Sequence, residues 1–215
     1  MQKVVILGAG GFGREVLDIF LAENRVSKKW KVLGFVDDNV ELHGKTLNGY
    51  PVLGSFDWFK TIDPKEVKVI VAVGGNKVRR KVVNKAKERG LEFCSVIHPT
   101  VTLTPFVTFG EGVIVTAGVI FTNQIKVGNH VIINLDVTIG HDTVIEDFVN
   151  LNPGVHINGN NRIEKGAYIG SGAVTVQDIT IGKWSTVGAG AVVIKNIPER
   201  VVAVGVPAEV KKSLK

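Results

Sequence analysis

Residues 131–157, VIINLDVTIGHDTVIEDFVNLNPGVHI, place Ile133, Ile139, Ile145, Leu151 and Ile157 at every sixth position. Followed outward, the same spacing starts at Leu103, Phe109, Val115, Phe121 and Val127 and continues through Ile163, Ile169, Thr175, Ile181, Val187 and Val193. Thr175 is the one member of this column that is not apolar. Two places before it runs a second column, largely Val, Ala, Thr or Ser, as at Val113, Val119, Val149, Val155, Ala167, Ala173, Ser185 and Ala191. A period of six fits neither a helix, with 3.6 residues per turn, nor one long strand. It fits short strands joined by tight corners and stacked into a solenoid, with the large apolar residue pointing inward and the small one fitting the corner. Successive coils then pair backbone to backbone at roughly 4.8 Å.

Upstream, the pattern is of another kind. Lys3–Leu7 forms a short apolar strand. Gly8-Ala9-Gly10-Gly11-Phe12-Gly13 follows, then a helical pattern over Arg14–Glu23. Strand, glycine turn and helix together are the context in which G-x-G-x-x-G binds a diphosphate, on free N–H groups at the positive end of a helix. Lys31–Val36 is a second strand ending in Asp37-Asp38, where an acidic residue commonly bonds a nucleotide's ribose or base. Val40–Gly54 is expected as a loop, Phe56–Thr61 as a short helix, Val67–Val73 as a third strand closed by Gly74-Gly75-Asn76, Lys77–Arg89 as a helix and Leu91–Ile97 as a fourth strand. The expected organisation is an α/β half-Rossmann-like domain at 1–97, the β-helix at 98–195 and a capping tail at 196–215. Four strands are about half of a dinucleotide fold and leave no room for a nicotinamide-binding half, which argues against an NAD-dependent dehydrogenase.

Composition bounds the rest. The chain of 215 residues is 45% hydrophobic and 21% charged, as ordinary globular proteins are. No apolar run is long enough for a membrane helix, and the apolar start reads as a strand, not a signal peptide. The net charge of +6 favours anionic partners, but aromatics do not interleave with the lysines as a nucleic-acid platform requires. Cys94, the single cysteine, lies in an expected buried strand and suits a reducing cytoplasm.

The six-residue frame assigns a direction to each solenoid side chain. His141 and Asp142 fall two and three places after inward Ile139, so both are expected on the outer face. A carboxylate beside an imidazole fixes its tautomer and stabilises the imidazolium, making the other nitrogen a better base. His130 and His156 are also off the apolar column, and His130 has no acid beside it in sequence. The spacing of His130, His141 and His156 does not suit a shared metal, so none is expected.

The Gly8–Gly13 turn, Asp37-Asp38, the hexapeptide run, Gly140-His141-Asp142 and the ending Gly205-Val206-Pro207-Ala208 occur in an order that resembles the nucleotide-aminosugar N-acetyltransferases and related sialic acid O-acetyltransferases, hexapeptide-repeat acyltransferases of the left-handed parallel β-helix type. The resemblance covers essentially the whole chain. It implies a cytoplasmic homotrimer that moves acetyl from acetyl-CoA to the 4-amino group of a nucleotide-linked 4-amino-4,6-dideoxy sugar in bacterial glycan biosynthesis. It also implies His141 as general base and Asp142 as the carboxylate that raises its basicity. Nucleotide-sugar contacts would fall on Gly10, Gly11, Phe12, Asp37, Asp38 and Gly74, and acetyl-CoA contacts on Asn150, Gly159, Ser171 and Ala189. Several relatives carry histidine where Asn150 stands, and one carries histidine where Phe12 stands, so a sugar contact at Phe12 would come from the backbone. Two other functions fit the sequence: O-acetylation of sialic acid or a similar sugar, and a non-catalytic scaffold or sugar sensor that binds no acetyl-CoA.

Overall fold

The computed structural model describes residues 1–214 and divides into two compact units, Met1–Pro99 and Thr100 onward. In the first, β1 (Gln2–Leu7), α1 (Gly11–Val26), β2 (Trp30–Val36), β3 (Thr46–Leu47), β4 (Tyr50–Gly54), β5 (Lys68–Val71), α2 (Asn76–Glu88) and β6 (Glu92–Phe93) follow in chain order. The sheet runs β3-β4-β2-β1-β5-β6. Its central strands are parallel, and β3 returns antiparallel on β4. The expected loop at 40–54 is thus a hairpin that extends the sheet; Gly49, with φ +83°, supplies its turn. Leu91–Ile97 is not one strand but two, Glu92–Phe93 and Val96–Ile97. Phe56–Lys60 is a 3₁₀ turn, started by the Ser55 hydroxyl accepting from the Asp57 N–H. The core of this unit is Val4, Val5 and Ile6 of β1, Val16, Leu17 and Phe20 of α1, and Val69 and Ile70 of β5, all 0% exposed.

In the second unit, two-residue and three-residue strands stack into three parallel sheets, each residue pairing with the one a full coil later, as Thr138 with His156 and Val144 with Arg162. One sheet carries Ile114–Val115, Ile132–Ile133, Asn150–Leu151, Tyr168–Ile169 and Thr186–Val187; the second carries Ile120–Phe121, Thr138–Ile139, His156–Ile157, Val174–Thr175 and Val192–Val193; the third carries Val107–Phe109, Ile125–Val127, Val144–Ile145, Arg162–Ile163 and Thr180–Ile181. From Val115 to Val193 the sixfold column is buried without exception, at 5% exposure or less. Leu103, at the first row, departs from the expectation and is 42% exposed. The second column is buried as well, from Val113 and Val119 to Ala191.

The corners do not lie where the small residues suggested. The backbone enters the left-handed region three places after each large apolar residue: Gly112, Gly118, Gln124, His130, Asp136, Asp142, Phe148, Gly154, Asn160, Gly166, Gly172, Asp178, Trp184 and Gly190 all have positive φ. Gly, Asn and Asp tolerate this conformation, and the short-chain members of the column follow that preference. Where a ring occupies it, the ring stacks along the corner. His130 lies on Phe148 with ring centres 5.2 Å apart, and Trp184 fills the space above Gly166, whose Cβ would come 2.4 Å from the indole. At the far end, Val201–Val204 pairs with the Thr186–Val187 strand and Glu209–Ser213 folds back antiparallel on it, covering the last coil's edge.

Candidate active site

His141 and Asp142 stand at a corner, on the outside, with side chains 64% and 58% exposed. His141 Nδ1 is 2.8 Å from Asp142 Oδ2. Asp142 takes the left-handed φ of +57° at the corner, and that turn brings the carboxylate of the next residue round to the ring. The bond assigns the proton to Nδ1 and leaves the Nε2 lone pair free to accept another. The imidazole lies across the backbone one coil later: a Cβ at Gly159 would be 2.6 Å from Nε2. Gly140 is crowded in the same way, its Cβ 2.5 Å from the Gly159 nitrogen. A cleft of about 570 Å³ opens here, lined by Thr122, Thr138, His141, Asn158, Gly159 and Gln177 among others.

The Gly159 amide contrasts with several amides at the equivalent place on another corner. At the corresponding place on another corner, the Glu111 and Asn129 N–H groups donate to Asn129 Oδ1 and Asp147 Oδ1, and those of Lys165 and Lys183 to Glu146 and Glu164 carboxylates. Gly159 N–H donates to no protein acceptor among the described residues. The N–H groups of His141 and Gln177 on the same corner likewise donate to no protein acceptor among the described residues, so this corner as a whole offers backbone donors to a ligand.

Of the other expected acyl-donor contacts, Ser171 and Ala189 are exposed and stack on one corner, where Gly190 N–H donates to Ser171 O at 2.8 Å. That corner and the His141 corner are the two ends of the sheet face that contains Thr138 and His156. Asn150 is placed differently from Ser171 and Ala189. It sits in the neighbouring sheet and is 3% exposed, because its outward column there, with Ile132 and Ile114, is covered. His130 is also not on an open face: it is 1% exposed and its Nε2 lies 3.5 Å from Glu111 Oε1, an acid a full coil away that sequence adjacency could not reveal. His156 is exposed, and its Nδ1 is 2.8 Å from Thr138 Oγ1. Among the described residues no group of three or more His, Cys, Asp or Glu could hold a metal ion.

In the first unit a second hollow, of about 240 Å³, opens at the carboxyl ends of the parallel strands, where ligands bind in such sheets. Gly8, Asp37 and Asp38 line it. Gly8 has φ +110° and a Cβ there would be 2.8 Å from Ala72 O; at Gly13 it would be 2.1 Å from Gly8 O. At Gly10, Gly11 and Gly74 no backbone or strand atom crowds the Cβ position, so these three leave room for a close-lying ligand. Phe12 is half-buried at the start of α1. The two aspartates divide their labour. Asp37 is spent on the backbone, accepting from Ala9 N–H at 2.8 Å and Asn39 N–H at 2.9 Å, and so shapes the glycine turn. Asp38 faces the hollow, accepting from Phe56 N–H at 2.8 Å with Lys85 Nζ 3.4 Å away. The Phe56 bond, helped by Lys85 against a cost of burial, holds its carboxyl below the usual value. Lys85 also lies 4.3 Å over the Phe56 ring. Phe56 and Lys85 were not foreseen, although Val78, Val82 and Lys85 of α2 share one helical face by spacing. Under this turn Arg79 is 1% exposed and donates to the Val73 and Gly74 carbonyls at 2.9 and 3.1 Å.

Comparison with known proteins follows the same two parts. The family model for the PglD N-terminal domain matches residues 3–86. The chain is 34% identical to the GDP-perosamine N-acetyltransferase of Escherichia coli O157:H7 over 220 positions, covering 99% of this chain and 98% of that one. Its structure superposes on a histidine-to-asparagine mutant of perosamine N-acetyltransferase from Caulobacter crescentus, solved with CoA and GDP-perosamine, with a TM-score of 0.90, 31% identity and coverage of 99% and 98%. It superposes equally on the acetyltransferase domain of PglB from Neisseria gonorrhoeae in complex with acetyl coenzyme A, with a TM-score of 0.89, 32% identity and coverage of 98% and 99%.

Proposed function

The chain belongs to the sugar N-acetyltransferases of the hexapeptide-repeat, left-handed β-helix family, and from that premise we propose that it acetylates the 4-amino group of a nucleotide-diphospho-4-amino-4,6-dideoxy sugar, with His141 as its base. It is an acetyl-CoA-dependent enzyme of bacterial glycan biosynthesis, as its relatives are. The single observation that carries the proposal is the exposed His141–Asp142 pair laid over the open N–H of Gly159.

The chemistry follows from those atoms. Asp142 orients the ring and stabilises the imidazolium. Nε2 takes a proton as the sugar amine attacks the thioester carbonyl carbon. The Gly159 N–H, already aimed and without a partner to give up, stabilises the oxyanion. The C–S bond then breaks and the proton passes to the departing thiolate of CoA. The Gly8–Gly13 turn and the start of α1 would hold the diphosphate, and Asp38 with Lys85 and Phe56 the nucleoside. Ser171 and Ala189 would line the path of CoA from the far end of the sheet face.

A homotrimer supplies the second wall that a long acyl donor needs and delivers the acceptor's amine to His141; half-buried Val144, Tyr168 and Trp184 on the solenoid's outside support such packing. Cys94, the single cysteine, is a free thiol, which supports residence in a reducing cytoplasm. No helix among the described residues is long and apolar enough to cross a membrane. The test is an acceptor panel with acetyl-CoA, followed by thiol release. Turnover with a GDP-, UDP- or dTDP-linked 4-amino sugar is expected. Turnover with free sialic acid alone would favour O-acetylation, and no response to CoA in a thermal-shift titration would favour a scaffold.

A further inference from the structure

Thr175 is the one polar member of the inward column, and it is 1% exposed. Its hydroxyl accepts from Asn158 N–H at 3.1 Å and from Asn161 Nδ2 at 2.6 Å. Asn161, itself 2% exposed, replaces the small residue of the second column. Its Nδ2 also reaches the carbonyls of Asn158 and Val176, both at 3.0 Å, while its Oδ1 accepts from Ile179 N–H at 2.5 Å. Thr143 Oγ1 adds a 3.3 Å bond to the same Asn158 carbonyl. Both backbone groups of Asn158 are therefore held from inside the solenoid, and Asn158 immediately precedes Gly159.

We infer that Thr175 and Asn161 are positioning residues for acetyl transfer: Thr175 holds the Asn158 N–H and the Asn161 amide, and Asn161 holds the carbonyl of the Asn158–Gly159 peptide, so that the Gly159 N–H is fixed under the His141 ring. This rests on the proposed role of Gly159. The physical case is that apolar residues at 175 and 161 would continue the two columns that pack every neighbouring coil, so packing alone gives no reason for this polar pair. Buried polar groups are tolerated only when satisfied, and this cluster ties both backbone groups of Asn158, beneath the His141 ring, to Val176 and Ile179 of the next coil. Electrostatic stabilisation of an oxyanion depends on a donor that does not have to reorganise, and small displacements are costly.

The test compares Thr175→Val with Thr175→Ser in the full-length protein. Val restores the repeat and removes the acceptor; Ser keeps it. With a nucleotide amino sugar that the wild type uses, Thr175→Val is expected to lower kcat by roughly tenfold to a hundredfold, less than outright loss of an oxyanion donor. KM for acetyl-CoA should move by less than about threefold, which assigns the loss to the transition state. Thr175→Ser should keep kcat within about threefold. Thr175→Val deprives the Asn158 N–H and the Asn161 amide of an acceptor, so its melting temperature should fall by a few degrees with the fold retained. In hydrogen exchange the Asn158 amide should open faster in Thr175→Val than in wild type, a measurement that needs no turnover and remains decisive if the acceptor is another molecule. A folded Thr175→Val with wild-type kcat, or with an Asn158 amide as protected as before, overturns the inference. Should Thr175→Val not fold, Thr175→Ala removes the same acceptor without adding a methyl group, and an unchanged kcat there overturns it equally. A wild-type chain that transfers acetyl to no amino sugar would count against the enzymatic reading instead.

Discussion

The imidazole of His141 rests on the backbone of Gly159, a full coil further along the chain, so closely that a methyl group at Gly159 would stand 2.6 Å from Nε2. The proposed base and the proposed oxyanion donor are thus built as one contact. Gly159→Ala should fold, since its backbone is not left-handed, but it must push the ring away. A loss of kcat of at least ~10², equal to losing general-base help, is expected with an unchanged circular dichroism spectrum. Near-normal turnover in that variant would show that the contact is incidental.

His141→Ala should lower kcat by about 10²- to 10⁴-fold while retaining CoA binding by calorimetry. Asp142→Asn should cost less, because Asn keeps the corner's left-handed backbone and a hydrogen bond but loses the charge. Steady-state kinetics that ranked Asp142→Asn below His141→Ala in activity would contradict this order.

Asp38 and Lys85 make a prediction about pH. The folded-state carboxyl of Asp38 lies below its ordinary value, chiefly because it accepts from Phe56 N–H. Its contribution to stability is therefore present above about pH 4, the unfolded value, and fades as pH falls through the lower folded one. The melting-temperature gap between wild type and Asp38→Asn should narrow on going from pH 6 to pH 3. At neutral pH the same variant should raise KM for the nucleotide sugar and leave KM for acetyl-CoA unchanged.

Cys94 is 7% exposed and burial pushes its thiol up to about 12. The nucleophile is the thiolate, so the native protein at pH 8 should react with a thiol reagent only on the timescale of unfolding. Rapid labelling of the folded protein would mean that the Glu92–Val96 segment opens readily.

Gly166 carries both a left-handed backbone, φ +70°, and the Trp184 indole against its missing side chain. Gly166→Ala should destabilise by about 1–2 kcal/mol from the backbone alone. Displacing the stacked indole adds to this, and the melting temperature should fall by several degrees. An unchanged melting temperature would mean that the corner stack contributes nothing.

Local chemistry and strict periodicity were enough to determine much of this protein. The sixfold column predicted the solenoid and its inward face, and the offset of His141 from Ile139 predicted an exposed imidazole, because a repeating backbone gives every residue of a column the same direction. The glycine turn was legible for a similar reason: Gly8 and Gly13 answer to steric demands met within a few residues. What the sequence could not supply depended on residues a coil or a strand apart. Only the fold shows that the left-handed corner falls at Asp142, that Asp37 is spent on Ala9 while Asp38 faces the hollow with Lys85, that Asn150 is covered, and that Glu111 reaches His130. Thr175 looked like a lapse in the repeat until coil stacking set its hydroxyl against Asn158. Stacking converts a separation of about one coil in sequence into a hydrogen-bond distance, and no pattern confined to neighbouring residues records which side chain will meet which peptide.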